Sequence, residues 1–269
     1  MNQNGLATNF ATISIETMAD GITVCRFNRP DKRNALNQLM IDELREFIHL
    51  PTMENIRALI FTGSGKAFIG GADISELKDR RREDALKQIN SRLFHEIQTF
   101  HAPTIAAVNG YALGGGNEFA LACDIRLASE HAKFGQPEVG LGIIPAAGAT
   151  YRLPTVVGTG WARELIFSGK IIDSQTALRI GLVNRVLPHE KLMDDALALA
   201  KEISAKGPLA VRLAKQASNF QSGLQAEALR AFESSLQAIL FEDEEKFRRM
   251  DAFFSQRSSS HKESNNDPA

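Results

Sequence analysis

Two carboxylates are set apart by their neighbours, because each adjoins a glycine-rich turn. Glu118 follows Gly114–Gly115–Gly116 in YALGGGNEFALACDI, and Glu138 follows Gln136–Pro137 in FGQPEVGLGIIPAAGAT, 20 residues further on. A glycine run costs backbone entropy and packing, so it marks a place where something must approach the main chain. A carboxylate among Phe119, Ala120, Leu121 and Ala122 is disfavoured unless it has partners or a task. Two such acids facing one cleft can bind a water and divide proton transfer between them. Desolvation and mutual repulsion then raise their proton affinity, so one is expected to be protonated near neutrality.

A third stretch, GKAFIGGADISEL, places Gly70–Gly71 just before Ala72–Asp73–Ile74. Such a turn aims backbone N–H groups into a cleft where a negative oxygen can lodge. A helix starting after Gly114–Gly116 adds a favourable potential for the same charge. Taken singly, each stretch has an ordinary explanation: Asp73 or Ser75 caps a helix, Glu118 caps the next, and Glu138 ends a strand at the surface. Their combination is the informative feature.

The elements that position them are read from periodicity. ATISIET and GITVCRF alternate weakly around a tight turn and predict two antiparallel strands. Leu36, Leu39, Met40, Leu44 and Phe47 recur at helical spacing up to Pro51. RALIFTGSG and TIAAVNG read as short apolar strands, DIRLAS and AKFG as two more, and a single helix is predicted from about Glu83 to Thr99. From about Ala146 the chain is mainly helical, with breaks expected at Pro154, Gly158, Gly169 and Gly181 and a short strand in GLVNRVLP. Strands interleaved with helices, then helices alone, predict an α/β core followed by a helical region. The expected division is 1–200 for the core, 201–256 for the helical region and 257–269 for a disordered polar tail.

Composition excludes several classes. The 269 residues carry 31 Lys plus Arg against 32 Asp plus Glu, which gives no whole-chain attraction for nucleic acid. Cys25 and Cys123, the two cysteines, make no disulfide framework, and the six histidines show no HxxxH or HExxH spacing, so no metal is expected. No secretory signal is seen, and no apolar run reaches the length that crosses a bilayer. A cytoplasmic protein with no membrane partner is therefore expected. Neither GxGxxG after the first strand nor GxxxxGK[ST] occurs.

The segments NRPDKRNALN, GKAFIGGADISEL, AAVNGYALGGGNEFALACDIRLAS, AKFGQPEVGLGIIPAAGATYRLPTVVG and SGKIIDSQTALRIGLVNRVLP are collinear from Asn28 to Pro188. Together they resemble the crotonase, or enoyl-CoA hydratase/isomerase, superfamily. The resemblance implies a crotonase-like spiral of ββα turns followed by C-terminal helices that support a homotrimer or a dimer of trimers. It implies an acyl-CoA substrate whose thioester oxygen is held by the backbone N–H groups of Ala72 and Gly115. Glu118 and Glu138 match the two glutamates of the family hydratases, Glu118 holding and deprotonating water and Glu138 protonating Cα. Lys32, Arg33, Ala35, Gly70, Asp73 and Ile74 match the segments along coenzyme A, with Asp73 ordering its loop rather than doing chemistry. Coenzyme A enters as part of the substrate, and no permanently bound cofactor is implied. The expected reaction is addition of water to a 2-enoyl-CoA. A 3,2-enoyl-CoA isomerase using Glu138 alone is the nearest alternative, and a noncatalytic or RNA-binding scaffold a remote one. Asn117 stands where many hydratases have cysteine, and only a small effect is expected of it.

Overall fold

The computed structural model describes residues 10–18, 20–216, 218–219, 238, 241–242, 244, 246–248, 250–252 and 254–255. Ten strands lie among them: β1 (Ile13–Thr17), β2 (Ile22–Phe27), β3 (Ala58–Gly63), β4 (Ala67–Ile69), β5 (Thr104–Val108), β6 (Tyr111–Leu113), β7 (Ile125–Ser129), β8 (Lys133–Gly135), β9 (Ile171–Asp173) and β10 (Arg185–Leu187). They form two sheets, of order β1-β2-β3-β5-β7-β10 and β4-β6-β8-β9. The predicted opening hairpin is β1 against β2, antiparallel, with Ile15 opposite Cys25. The rest of the larger sheet is parallel, from β2 through β3, β5 and β7 to β10.

Strands β3 and β5 are buried at every position. That explains why they read as unbroken apolar runs: a parallel strand covered on both faces has no polar side to alternate with. The chain then repeats one step. β3 runs into β4, β5 into β6 and β7 into β8, so each coil contributes one strand to each sheet.

The helices are α1 (Gln38–Ile48), α2 (Ile74–Asp79), α3 (Arg82–Leu86), α4 (Ile89–Thr99), α5 (Gly115–Ala122), α6 (Ala149–Ser168), α7 (Ser174–Arg179) and α8 (Leu192–Ser204). Helix α8 covers the outer face of the larger sheet, with Leu192, Ala196 and Ala200 against Ile22, Ile60 and Ile105. On the inner face Phe119 of α5 is the hub of an aromatic cluster. Its ring centroid lies 4.9 Å from Phe61, 5.2 Å from Phe27, 5.4 Å from Phe94 and 6.0 Å from Phe68, all edge to face. Such pairs contribute about 0.5–1.5 kcal/mol each beyond area burial. They fix the helix on which Glu118 is the preceding residue.

Two expectations are corrected. The single helix over Glu83–Thr99 is two helices, α3 and α4, separated at Gln88, whose φ of 54° is left-handed. Ala85, Ile89, Leu93 and Ile97 keep a four-residue apolar spacing across the break, so periodicity does not register it. Pro154 does not end α6. The helix passes through it, and the non-helical residue is Gly158, at φ 76° and ψ 158°. The breaks at Gly169 and Gly181 are present, both at positive φ. Of the helical region expected over 201–256, residues 217, 220–237, 239–240, 243, 245, 249, 253 and 256 lie outside the described residues, as does the whole polar tail over 257–269. Among the described residues no helix is long and apolar enough to cross a membrane.

Candidate active site

Strands β4, β6 and β8 are parallel neighbours, with Ile69 beside Ala112 and Leu113 beside Gly135. Chain leaving the carboxyl ends of adjacent parallel strands is where open α/β sheets place their ligand sites. Here β4 exits into Gly70–Gly71–Ala72, β6 into Gly114–Gly115 and β8 into Gln136–Pro137–Glu138. Ala72, Gly115, Glu118 and Glu138 line one cavity of about 90 Å³.

The first turn is stitched to the loop after β2. Gly70 N–H donates to the Arg33 carbonyl (2.8 Å), Leu36 N–H to Gly71 (2.9 Å) and Asp73 N–H to Leu36 (2.8 Å). Leu36 and Ala72 thereby form an isolated parallel bridge. In that pattern the bridge residue's own N–H points away from its partner, so the Ala72 amide is left for the cavity. Asp73 accepts from Ser75 N (3.3 Å) and Oγ (2.6 Å) and pairs with Arg29 at 3.1 Å. Burial pushes the Asp73 carboxyl up, but the bonds from Ser75 and Arg29 outweigh it and leave the pKa below the usual value.

On the other side, α5 begins at Gly115, whose N–H is among the helix amides with no partner inside the helix. Gly114 sits at φ 52°, and a Cβ there would come 3.0 Å from Glu138 Oε1, so only glycine allows this approach. Gly116 lies against β4, where a Cβ would meet the Ile69 carbonyl oxygen at 2.0 Å. A Cβ at Gly115 would be 3.9 Å from the Ala72 nitrogen, which sets the two turns face to face.

Glu118 is 3 % exposed, and its Oε1 accepts from Ala147 N (2.8 Å) and Ala149 N (3.0 Å). Burial raises its pKa, while those amides and the Arg152 charge pull the other way and only partly offset the rise. At half-buried Glu138, burial and then the Glu118 charge raise the pKa well above the ordinary carboxylate value, and its own backbone amide opposes this only weakly. The orientation of the Gln136 amide is set by its neighbours. It donates to both Glu138 oxygens at 3.2 Å and accepts from Asn117 Nδ2 at 3.2 Å. The two acids are thus unlike: Glu118 is equipped to hold charge, Glu138 to hold a proton.

An oxyanion-type pair of amides beside an unequal pair of acids suits chemistry at Cα and Cβ of an acyl group, and relatives bear on which. The sequence model of the family described as enoyl-CoA hydratase/isomerase matches residues 17–264. The chain belongs to the enoyl-CoA hydratase/isomerase family. It is 42 % identical over 240 residues to a short-chain-enoyl-CoA hydratase of Clostridium acetobutylicum, covering 88 % of this chain and 92 % of that protein. It is 40 % identical over 242 residues to a crotonyl-CoA hydratase of Syntrophomonas wolfei, again covering 88 % and 92 %. The crystal structure of an enoyl-CoA hydratase from Bacillus anthracis superposes with a TM-score of 0.74 at 34 % identity, covering 91 % of this chain and 97 % of that one. The spiral of paired strands described above is this family's fold.

The family resemblance also implied coenzyme A positions, and the structure gathers those residues beside the Gly70–Ala72 turn rather than in the cavity. Lys32 and Arg33 are exposed, Arg33 standing over the Tyr111 ring at 5.8 Å. Ala35, Gly70, Asp73 and Ile74 are half-buried on the same seam. The Gly70 and Asp73 amides are taken up by the Arg33 and Leu36 carbonyls.

Three positioning residues escaped the sequence reading. Arg29 joins the seam, donating to the Ala35 carbonyl (2.5 Å) and to Asp73. Buried Asn34 accepts from Arg29 N (2.8 Å) and donates to the Ser64 and Ala67 carbonyls (2.9 Å and 2.7 Å). Buried Arg152 donates to the Ala147 carbonyl (2.9 Å) and, through Nε and Nη2, to Gln98 Oε1 (3.0 Å and 2.9 Å), which steadies the turn that holds Glu118. The first two lie in NRPDKRNALN and the third in ATYRLP, so the motifs contained them without revealing their partners. Asn117 does not line the cavity, yet it reaches Glu138 through Gln136, a connection the sequence reading did not foresee. Among the described residues no cluster of three His, Cys, Asp or Glu side chains is arranged to hold a metal ion.

Proposed function

We propose that the protein is an enoyl-CoA hydratase, adding water reversibly across the 2,3 double bond of a 2-enoyl-CoA to give the 3-hydroxyacyl-CoA. The observation that carries this is the meeting of two unlike carboxylates with two inward amides in one cavity. The thioester oxygen sits between the N–H groups of Ala72 and Gly115, where charge collects as Cβ is attacked. Fixed donors at that position stabilise the enolate, and loss of one costs about 2.7–4 kcal/mol in other enzymes. Water is held between the acids. Glu118, charged and braced by two amides, takes its proton as oxygen bonds to Cβ; Glu138, protonated, delivers a proton to Cα. Lys32, Arg33, Ala35, Gly70, Asp73 and Ile74 line the path of coenzyme A, which enters only as part of the substrate, with no resident cofactor required.

The assembly assigned here is a homotrimer or dimer of trimers. Phe167 is 72 % exposed, Ile171 51 %, Leu209 64 % and Leu213 52 %. A subunit contact of this kind would cover them. Buried free thiols at Cys25 and Cys123 suit the reducing cytoplasm.

The test follows the enoyl thioester absorbance. The protein should consume it from a 2-enoyl-CoA. Glu118→Gln and Glu138→Gln should each fold and each lose roughly 10²- to 10⁴-fold in hydration rate, and the double variant should lose less than the product because both acids act on one water. An isomerase would instead generate the absorbance from a 3-enoyl-CoA and tolerate Glu118→Gln. Near-parental hydration by Glu118→Gln removes the two-acid mechanism.

A further inference from the structure

The cavity continues beyond the reacting centre. None of Lys32, Arg33, Ala35 or Gly70 lines it, so it extends from the oxyanion amides away from coenzyme A, toward the acyl end. Its far wall is apolar on one side, with Leu77, Ala85, Ile143 and Phe241 belonging to a single hydrophobic cluster. On the other side the lining is polar, with the cation Arg80 beside Asp84, Gln88, Asn90 and Ser91.

Arg80 terminates α2, the helix that starts beside the oxyanion turn. Its main chain is fixed at both ends: the N–H donates to the Leu77 carbonyl (3.3 Å) and the carbonyl accepts from Lys246 Nζ (2.9 Å). The guanidinium is half-buried and, among the described residues, makes no hydrogen bond or ion pair. Burial lowers its proton affinity, and Glu76 and Asp84 oppose this only through space. Both carboxylates are engaged elsewhere: Asp84 accepts from Arg81 N (3.0 Å) and Lys87 Nζ (2.9 Å), and Glu76 accepts from Gln38 N (2.9 Å).

A guanidinium presents five donors in a planar fork matched to a carboxylate. A methyl-ended acyl chain packed into this cavity would strip water from that fork and return nothing. A chain ending in a carboxylate would restore a charge-assisted, two-pronged pair. The six residues of α2 separate the oxyanion turn from Arg80. At a rise of about 1.5 Å per residue they carry the chain about 9 Å.

We infer that Arg80 is the counter-ion for an anion at the acyl end of the substrate, and that the preferred substrate is a short 2-enoyl-CoA bearing a terminal carboxylate. This rests on the hydratase reading above. The experiment compares kcat/KM for hex-2-enoyl-CoA and for the six-carbon 2-enoyl-CoA with a terminal carboxylate, using the full chain and its Arg80→Met and Arg80→Lys variants. The parent should prefer the carboxylate-ended ester by about 10- to 100-fold, the value of hydrogen bonds to a charged group. Arg80→Met should abolish that preference chiefly through KM and raise turnover of the methyl-ended ester, and Arg80→Lys should retain part of it. Equal kcat/KM for the two esters in the parent, which needs no variant to fold, overturns the inference while leaving the hydratase reading intact. So does an Arg80→Met loss that is equal for both esters, or one that vanishes with 3′-dephospho-CoA thioesters, which would assign Arg80 to a coenzyme A phosphate. Hydration of neither ester would remove both readings together.

Discussion

Gly116→Ala offers a mechanical test of the oxyanion site. The added methyl would lie 2.0 Å from the Ile69 carbonyl oxygen and 2.8 Å from its carbon, both main-chain atoms that cannot rotate aside. Real Cβ atoms essentially never come inside 3.0 Å. Helix α5 and strand β4 must therefore part by about 1 Å to relieve the overpacking. The two amides ride on these elements, Gly115 next to the substitution and Ala72 three residues beyond Ile69. A donor at about 2.9 Å from the thioester oxygen would retreat to about 3.9 Å, past the limit of a useful hydrogen bond. The expected loss is that of one oxyanion donor, roughly 10²- to 10³-fold in kcat. Overpacking should also cost about 1–3 kcal/mol of stability, or roughly 2–4 °C of Tm per kcal/mol for a chain of this size. Hydration is therefore measured well below the variant's melting temperature, beside Gly160→Ala, whose methyl would meet no atom within 4 Å. Gly160→Ala should match the parent within about twofold. A folded Gly116→Ala protein retaining a third or more of parental kcat would refute the idea that this contact sets the spacing of the donors.

Three other outcomes are expected. Arg152→Met removes a charge that lowers the Glu118 pKa and frees the Ala147 carbonyl. The acid limb of the kcat–pH profile should move to higher pH, and kcat should fall roughly tenfold or more as the turn loosens. An unmoved acid limb would deny Arg152 this role. Because the folded state raises the Glu138 pKa, that group's stabilisation is complete below the ordinary carboxylate pKa and is lost as pH rises through the raised one. Glu138→Gln should therefore melt close to the parent in acid and above it at alkaline pH, and thermal melts in which the difference shrinks with rising pH would contradict this. Sedimentation at working concentrations should give a trimer or hexamer; a stable monomer would overturn the proposed assembly.

What the sequence revealed depended on how far each signal reaches. The opening hairpin, the long parallel strands and the glycine-flanked acids are local patterns, and each was readable from a short window. Strands β4, β6 and β9 have three residues each, too few for alternation to show, yet β4 and β6 lead into the turns that carry Ala72 and Gly115. The division of α3 from α4 was hidden by an apolar spacing that runs on across it. Arg29, Arg80 and Arg152 have no periodic signature, because a single arginine acquires meaning only from partners that the fold brings from elsewhere. Resemblance to a family supplied the roles of Ala72 and Gly115, which composition alone could suggest only as turns.

The stepwise alternation of the two sheets has an evolutionary consequence. Each coil delivers one component: the exit of β4 a first amide, that of β6 a second amide and an acid, that of β8 the other acid. The strands carry shape and the exits carry reactivity, so the three components can mutate separately. A lineage could replace the residue after β8 and change the acid there while inheriting both amide-bearing turns unchanged. The architecture holds the two amide-bearing turns on one pair of strands and leaves the second acid on a third, so each loop can diverge by itself.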